Sequence, residues 1–174
     1  MSAQLRHVDP AKAAGAFARW YAATATTRMA RFVSRHVSWK LDPLLLRISG
    51  GRVATTLVFP TAVLETRGAR TGERRRNAVI YFHDGSAIIV VASNAGSPRH
   101  PGWYHNLRAN PEVTLGGIPM LARVVDDPER CRRLWELADR VFPAFATYRR
   151  DAARTQRTIP LVQLVPREVP AAKP

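Results

Sequence analysis

The sequence is short of cysteine, of acidic residues and of long apolar runs. Cys131 is the single cysteine in 174 residues, so an internal disulfide and a multi-cysteine zinc site are both excluded and a reducing cytoplasm is the expected setting. The apolar stretch VATTLVFPTAVL at 53–64 is too short to cross a bilayer and contains Pro60. The N-terminus lacks the apolar core of a signal peptide, which again points to the cytoplasm. Thirteen acids face 27 bases, for a formal net charge of +14. All but three of those bases (Lys12, Lys40 and Lys173) are arginine, whose planar fork suits phosphate and carboxylate.

Several chemistries are also missing. No Gly-x-Gly-x-x-Gly follows a strand, no loop ends in Gly-Lys-Ser/Thr, and no His-Glu-x-x-His occurs. His100 and His105 are separated by Pro101 and have no carboxylate nearby, so no metal site is expected. Ser93, His105 and Asp84 carry no local signature of a nucleophile triad. The basic charge suggests a nucleic-acid module as a rival class. The aromatics, however, sit in apolar contexts without the basic alternation of a stacking platform, so no nucleic acid is expected.

What is present is enough for one domain with its own core. Residues 1–40 read as a basic amphipathic helix, either packed on the domain or resting on an anionic membrane surface. Residues 41–166 form the domain proper, and 167–174 a loose tail. AVLETR (62–67), NAVIYFH (77–83) and SAIIVVAS (86–93) read as strands, the last two joined by a hairpin at Asp84-Gly85. Residues 113–125 form a second hairpin around Gly116-Gly117. Asp127-Pro128-Glu129 starts a helix that buries Cys131, Leu134, Leu137, Ala138 and Val141 and stops at Pro143. A further helical segment and a strand at 158–165 follow. The connections are too short for parallel crossovers, so the expected class is α+β, mainly antiparallel, a small barrel with flanking helices.

Three segments can carry chemistry. In 66–82, Gly68 and Gly72 bracket Ala69, Arg70 and Thr71, with Arg75 and Arg76 just beyond. Such a turn either offers N–H groups and guanidinium forks to an anion or is a solvated hairpin tip. In 91–111, small residues end a strand and Pro101 starts a short helix from Gly102 to Ala109, whose first turn faces forward with unpaired N–H groups. In 141–149, Phe142, Phe145 and Tyr148 share one side of a helical turn, as core packing or as a wall over a flat substrate.

Taken in order, GARTGERR (68–75), VASNAGSPRHPGWYHNLRANP (91–111) and RTIPLVQLVP (157–166) resemble the deazaflavin-dependent nitroreductase and quinone reductase family of actinobacteria. The resemblance implies a split β-barrel of the FMN-binding, pyridoxamine-phosphate-oxidase-like type and coenzyme F420 as cofactor. It places the coenzyme's anionic tail on Ala69, Arg70, Thr71, Arg75 and Arg76, continuing along Asn77, Ala78, Val79 and Ile80. The deazaflavin ring would lie by Val91, Ala92, Ser93 and Asn94, closed by Gly102, Trp103, Tyr104, His105 and Asn106. The implied reaction is hydride transfer to a quinone-like or nitroaromatic acceptor, with Phe142 and Phe145 lining the acceptor pocket and Phe145 also near the ring. Some relatives carry tyrosines at the positions of Phe142 and Phe145. Phenylalanine donates no proton, which leaves Tyr148 or water and favours a quinone. Ala69 departs from a basic residue in many relatives. The same fold leaves FMN or heme as alternative ligands. A monomer or weak homodimer is expected.

Overall fold

A computed structural model describes residues 5–10 and 59–167. The helix expected over 10–38, its membrane role and the loose C-terminal tail lie outside the described residues. The elements are β1 (Thr61–Arg67), β2 (Arg74–Asp84), β3 (Ala87–Val91), α1 (Gly102–Ala109), β4 (Glu112–Leu115), β5 (Ile118–Val124), α2 (Pro128–Val141), α3 (Ala144–Ala153) and β6 (Leu161–Pro166). The strands close a barrel in the order β1-β2-β3-β6-β5-β4, antiparallel throughout. This is the expected split-barrel architecture.

Period-two alternation builds the barrel. β1 buries Ala62, Leu64 and Thr66 and turns Val63 and Glu65 outward. The register pairs Leu64 with Asn77 and Ala62 with Val79, so both strands send the same set inward. β3 is buried at all five positions, which explains its unbroken apolar sequence. Ile88 and Val90 fill the barrel with Leu115, Met120 and Leu164, while Ile89 and Val91 point out into a second core. There α2 and α3 cover Phe82 and Leu161 with Leu134, Ala138 and Phe145. The short α1 closes one end of the barrel, inserting Trp103, Tyr104 and Leu107.

Local signals acted as expected at both helix starts. The Asp127 carboxylate accepts from Arg130 N at 2.7 Å, and Pro128 sits at the first position. α1 runs from Gly102 to Ala109 after Pro101. Two details differ. Positive φ at the β2–β3 turn falls on Gly85 (63°) alone. Asp84 stays in the strand, paired with Ala87, and its carboxylate takes Arg133 at 2.8 and 3.0 Å and Arg130 at 3.4 Å, fastening α2 to the hairpin. Cys131 and Leu137 are only half-buried, because α2 turns Leu134, Ala138 and Val141 to the core. The Cys131 thiol donates to Val125 O at 3.3 Å, and burial raises its pKa, which favours the protonated form.

Residues Leu5–Pro10 lie along β2 as a strap. His83 N donates to Val8 O and Val8 N donates to His83 Nδ1, both at 3.1 Å. The Tyr81 hydroxyl donates to Arg6 O at 2.9 Å. His83 therefore has to keep an Nδ1 lone pair, and its pKa is lowered by burial and by the charge of His7, whose ring centroid is 4.4 Å away. A depressed histidine pKa means that the unfolded chain takes protons first. Stability is then level above about pH 6.5 and falls as the pH drops below it. Thermal melts between pH 7.5 and 5.5 should show this loss, and His83→Asn should flatten the slope.

Candidate functional site

Two of the expected segments meet at one end of the barrel. The turn after β1 is closed by Gly72 N donating to Gly68 O at 2.9 Å and Gly68 N donating to Glu73 O at 2.8 Å. Asn106 of α1 joins it. Its Oδ1 accepts from Ala69 N at 3.1 Å and its Nδ2 donates to the buried Thr66 hydroxyl at 3.1 Å. The basic turn and the helix start are thus one constellation, and Asn106 acts there as a brace. Thr66 carried no signal in the sequence beyond its position in an alternating strand.

The arginines of the turn divide by face, as strand geometry demands. Arg74 and Arg76 both meet Glu65, at 3.2 and 2.6 Å, and Arg75 meets Glu73 at 2.5 Å. Arg70 is exposed at the tip and makes no ion pair among the described residues. The N–H groups of Arg70 and Thr71 likewise make no hydrogen bond among them. One free guanidinium beside two free N–H groups is a donor set for an anion. Asn77, Ala78 and Ile80 are half-buried, and Val79 lies in the barrel.

The third expected wall, Val91 to Asn94, runs into a tight turn. Asn94 (φ 47°), Ala95 (49°) and Gly96 (71°) are all left-handed, a conformation that non-glycine residues resist. The Asn94 amide donates to Arg99 O at 2.8 Å, so it shapes the turn itself. Arg157, buried ahead of β6, donates to Ala92 O, Ser93 O, Ser97 O and His100 Nδ1. In the sequence Arg157 carries no signal of a role, since a charged residue before a strand ordinarily reads as surface. The turn packs on α3: a Cβ on Gly96 would stand 3.1 Å from the Tyr148 backbone.

Phe142, Phe145 and Tyr148 are together but enclosed, at 5%, 3% and 5% exposure. Phe142 meets Phe145 edge to face at 5.0 Å and Phe59 edge to face at 4.7 Å. Trp103 and Tyr104 are also buried, while Gly102 and His105 are exposed. An open concavity of about 580 Å³ lies on the other side of Pro98 and His100, floored by Val125, Trp135 and Leu161. Of the expected contacts it holds only Tyr104, and the Arg157 within it donates to three backbone carbonyls and to His100 Nδ1. The chemistry of the donors therefore locates the site better than the size of the concavity. Among the described residues no group of His, Cys, Asp and Glu is arranged to hold a metal ion, and no helix is long and apolar enough to cross a membrane.

Comparison with known proteins decides the family. Residues 41–166 match the family described as F420H(2)-dependent quinone reductase. The chain belongs to that family. An F420H(2)-dependent quinone reductase of Mycobacterium tuberculosis is 35% identical over 150 residues, covering 80% of this chain and 99% of the relative. Among solved structures, an F420-H2 dependent reductase (FDR-A) matches 60% of this chain and 93% of its own at 32% identity and a TM-score of 0.52. Another, described as a domain-swapped dimer, matches 72% and 96% at 28% identity and a TM-score of 0.54.

Two substitutions test this geometry. Asn106→Ala removes both braces and leaves a buried hydroxyl without its donor; urea unfolding should show a loss of about 1–3 kcal/mol, and Asn106→Asp, which keeps the acceptor for Ala69 N, should lose less. Gly96→Ala combines a left-handed φ with a backbone contact. It should lower the melting temperature by several degrees, corresponding to roughly 1–3 kcal/mol of strain.

Proposed function

We propose that this chain binds coenzyme F420 and, with the reduced coenzyme, reduces a quinone-like acceptor. The observation that carries the reading is the donor set at the turn after β1, braced by Asn106 onto the helix that would close over the ring. The fit is chemical. The coenzyme's tail is a polyanion, and Arg70 with the N–H groups of Arg70 and Thr71 presents unpaired positive ends to it. Arg75 and Arg76, held by Glu73 and Glu65, supply field more than direct contact. Ser93 and the left-handed turn beside it supply a narrow backbone edge for a flat ring, with His105 exposed nearby.

Bound and reduced, the coenzyme supplies a hydride, and a quinone that accepts it needs one proton to become the hydroquinone. The protein's part is to orient ring and acceptor and to deliver that proton. Tyr148 is the side chain assigned to it, because its helix backs the turn at Gly96. Phe142 and Phe145 hold Tyr148 in place from behind. With phenylalanines there, a nitroaromatic acceptor is the poorer substrate. The basic N-terminal segment, 1–38, is assigned to weak contact with an anionic membrane surface, where such quinones partition.

Titration with oxidised coenzyme should quench its fluorescence saturably at micromolar concentration. Arg70→Ala should weaken binding by about tenfold or more, the loss of a charge-assisted hydrogen bond. Arg75→Ala, already neutralised by Glu73, should weaken it less. Absence of binding overturns the reading. Turnover of menadione should exceed that of nitroaromatics, and Tyr148→Phe should lower kcat more than it changes coenzyme affinity.

A further inference from the structure

Arg157 is the only buried cation among the described residues, at 8% exposure. Among the described residues, no carboxylate pairs with it. A buried charge without a counter-ion persists only when its hydrogen bonds are fully met. Here all the acceptors come from one stretch far away in sequence: Ala92 O at 2.5 Å from Nη2, Ser93 O at 3.0 Å and Ser97 O at 2.5 Å from Nη1, and His100 Nδ1 at 3.1 Å from Nε. Three carbonyls converge on the guanidinium because the chain between them turns through Asn94, Ala95 and Gly96 in the left-handed region. Ala95 carries a Cβ that resists this conformation, while asparagine tolerates it better. The turn adds bonds of its own, Gly96 N to Ser93 O and Ser97 N to Asn94 O, but these are short-range. The backbone ties Ala92 to Pro160, Ala92 N donating to Pro160 O at 3.0 Å, and beyond Ala92 it is Arg157 that links the carbonyls of Ser93 and Ser97 to the start of β6.

We propose that Arg157 is a positioning residue for the reaction: by gathering the carbonyls of Ala92, Ser93 and Ser97 it fixes the turn that sets Ser93 against the deazaflavin ring and seats Gly96 on the Tyr148 backbone. The proposal rests on the function assigned above. It deepens that reading by naming a residue that touches neither coenzyme nor acceptor. Lysine cannot replace it, because an ammonium lacks the planar fork that spans four acceptors.

The test is Arg157→Lys in the full chain, with three readouts. Hydrogen exchange is followed without coenzyme, affinity by titration with oxidised F420, and kcat and KM with menadione. Exchange across 92–100 should quicken while β4 and β5 keep the wild-type pattern. Coenzyme affinity and kcat should each fall by about tenfold, a typical effect of misplacing reacting groups by a fraction of an ångström, with KM for menadione little changed. If Arg157→Lys does not fold, His100→Ala removes one acceptor, and smaller changes in the same direction are expected. Unchanged exchange at 92–100, or quickened exchange with unchanged affinity and kcat, overturns the proposal while leaving the assigned function intact. Failure of the wild-type chain to bind the coenzyme overturns both.

Discussion

Closure of the six-stranded sheet is the constraint from which the other features follow. Once β1 pairs with β4 through Leu64–Leu115 and Glu65–Thr114, no strand has a free edge, and interior side chains from every strand share one small volume. That volume is filled by aliphatic side chains, Met120, Tyr81 and the Trp103 and Tyr104 of α1. Any site must then be built at an end or on the outside. The proposed coenzyme site is of the former kind, formed by the turn after β1, the turn after β3 and the helix that plugs the opening.

Those loops are irregular, and irregular backbone needs outside partners for its polar groups. Each of the two turns is held by one side chain from elsewhere. Asn106 reaches from α1 to the first, and Arg157 reaches from ahead of β6 to the second. Both spend these hydrogen bonds on protein, while the donors at Arg70 and Thr71 meet no partner among the described residues. The division separates rigidity from recognition. A site built this way is pre-organised, and less entropy is lost when it is filled.

Much of the fold was legible because its signals are local. β3 could be read from AIIVV, the start of α2 from Asp-Pro-Glu, and both limits of α1 from Pro101 and Asn110-Pro111. The basic turn could be located too, because glycines bracket it. What escaped was non-local. Nothing in RTIPL says that its arginine turns inward, since the carbonyls that receive it lie some sixty residues earlier. The burial of Phe142 and Phe145 was equally ambiguous, because the spacing that lines a pocket is also the spacing that fills a core. The Asp84–Gly85 turn was placed one residue early, since the pairing of Asp84 depends on Arg130 and Arg133 from a helix that the hairpin sequence does not contain.

The strap at Leu5–Pro10 gives the chain an unusual mechanical layout. The front of the chain is fastened to β2 through Val8 and His83, whose two mutual bonds are both 3.1 Å. Amputating the front of the chain is consequently never a clean deletion: it strips a backbone partner from β2 and an acceptor from Tyr81 along with whatever else it removes.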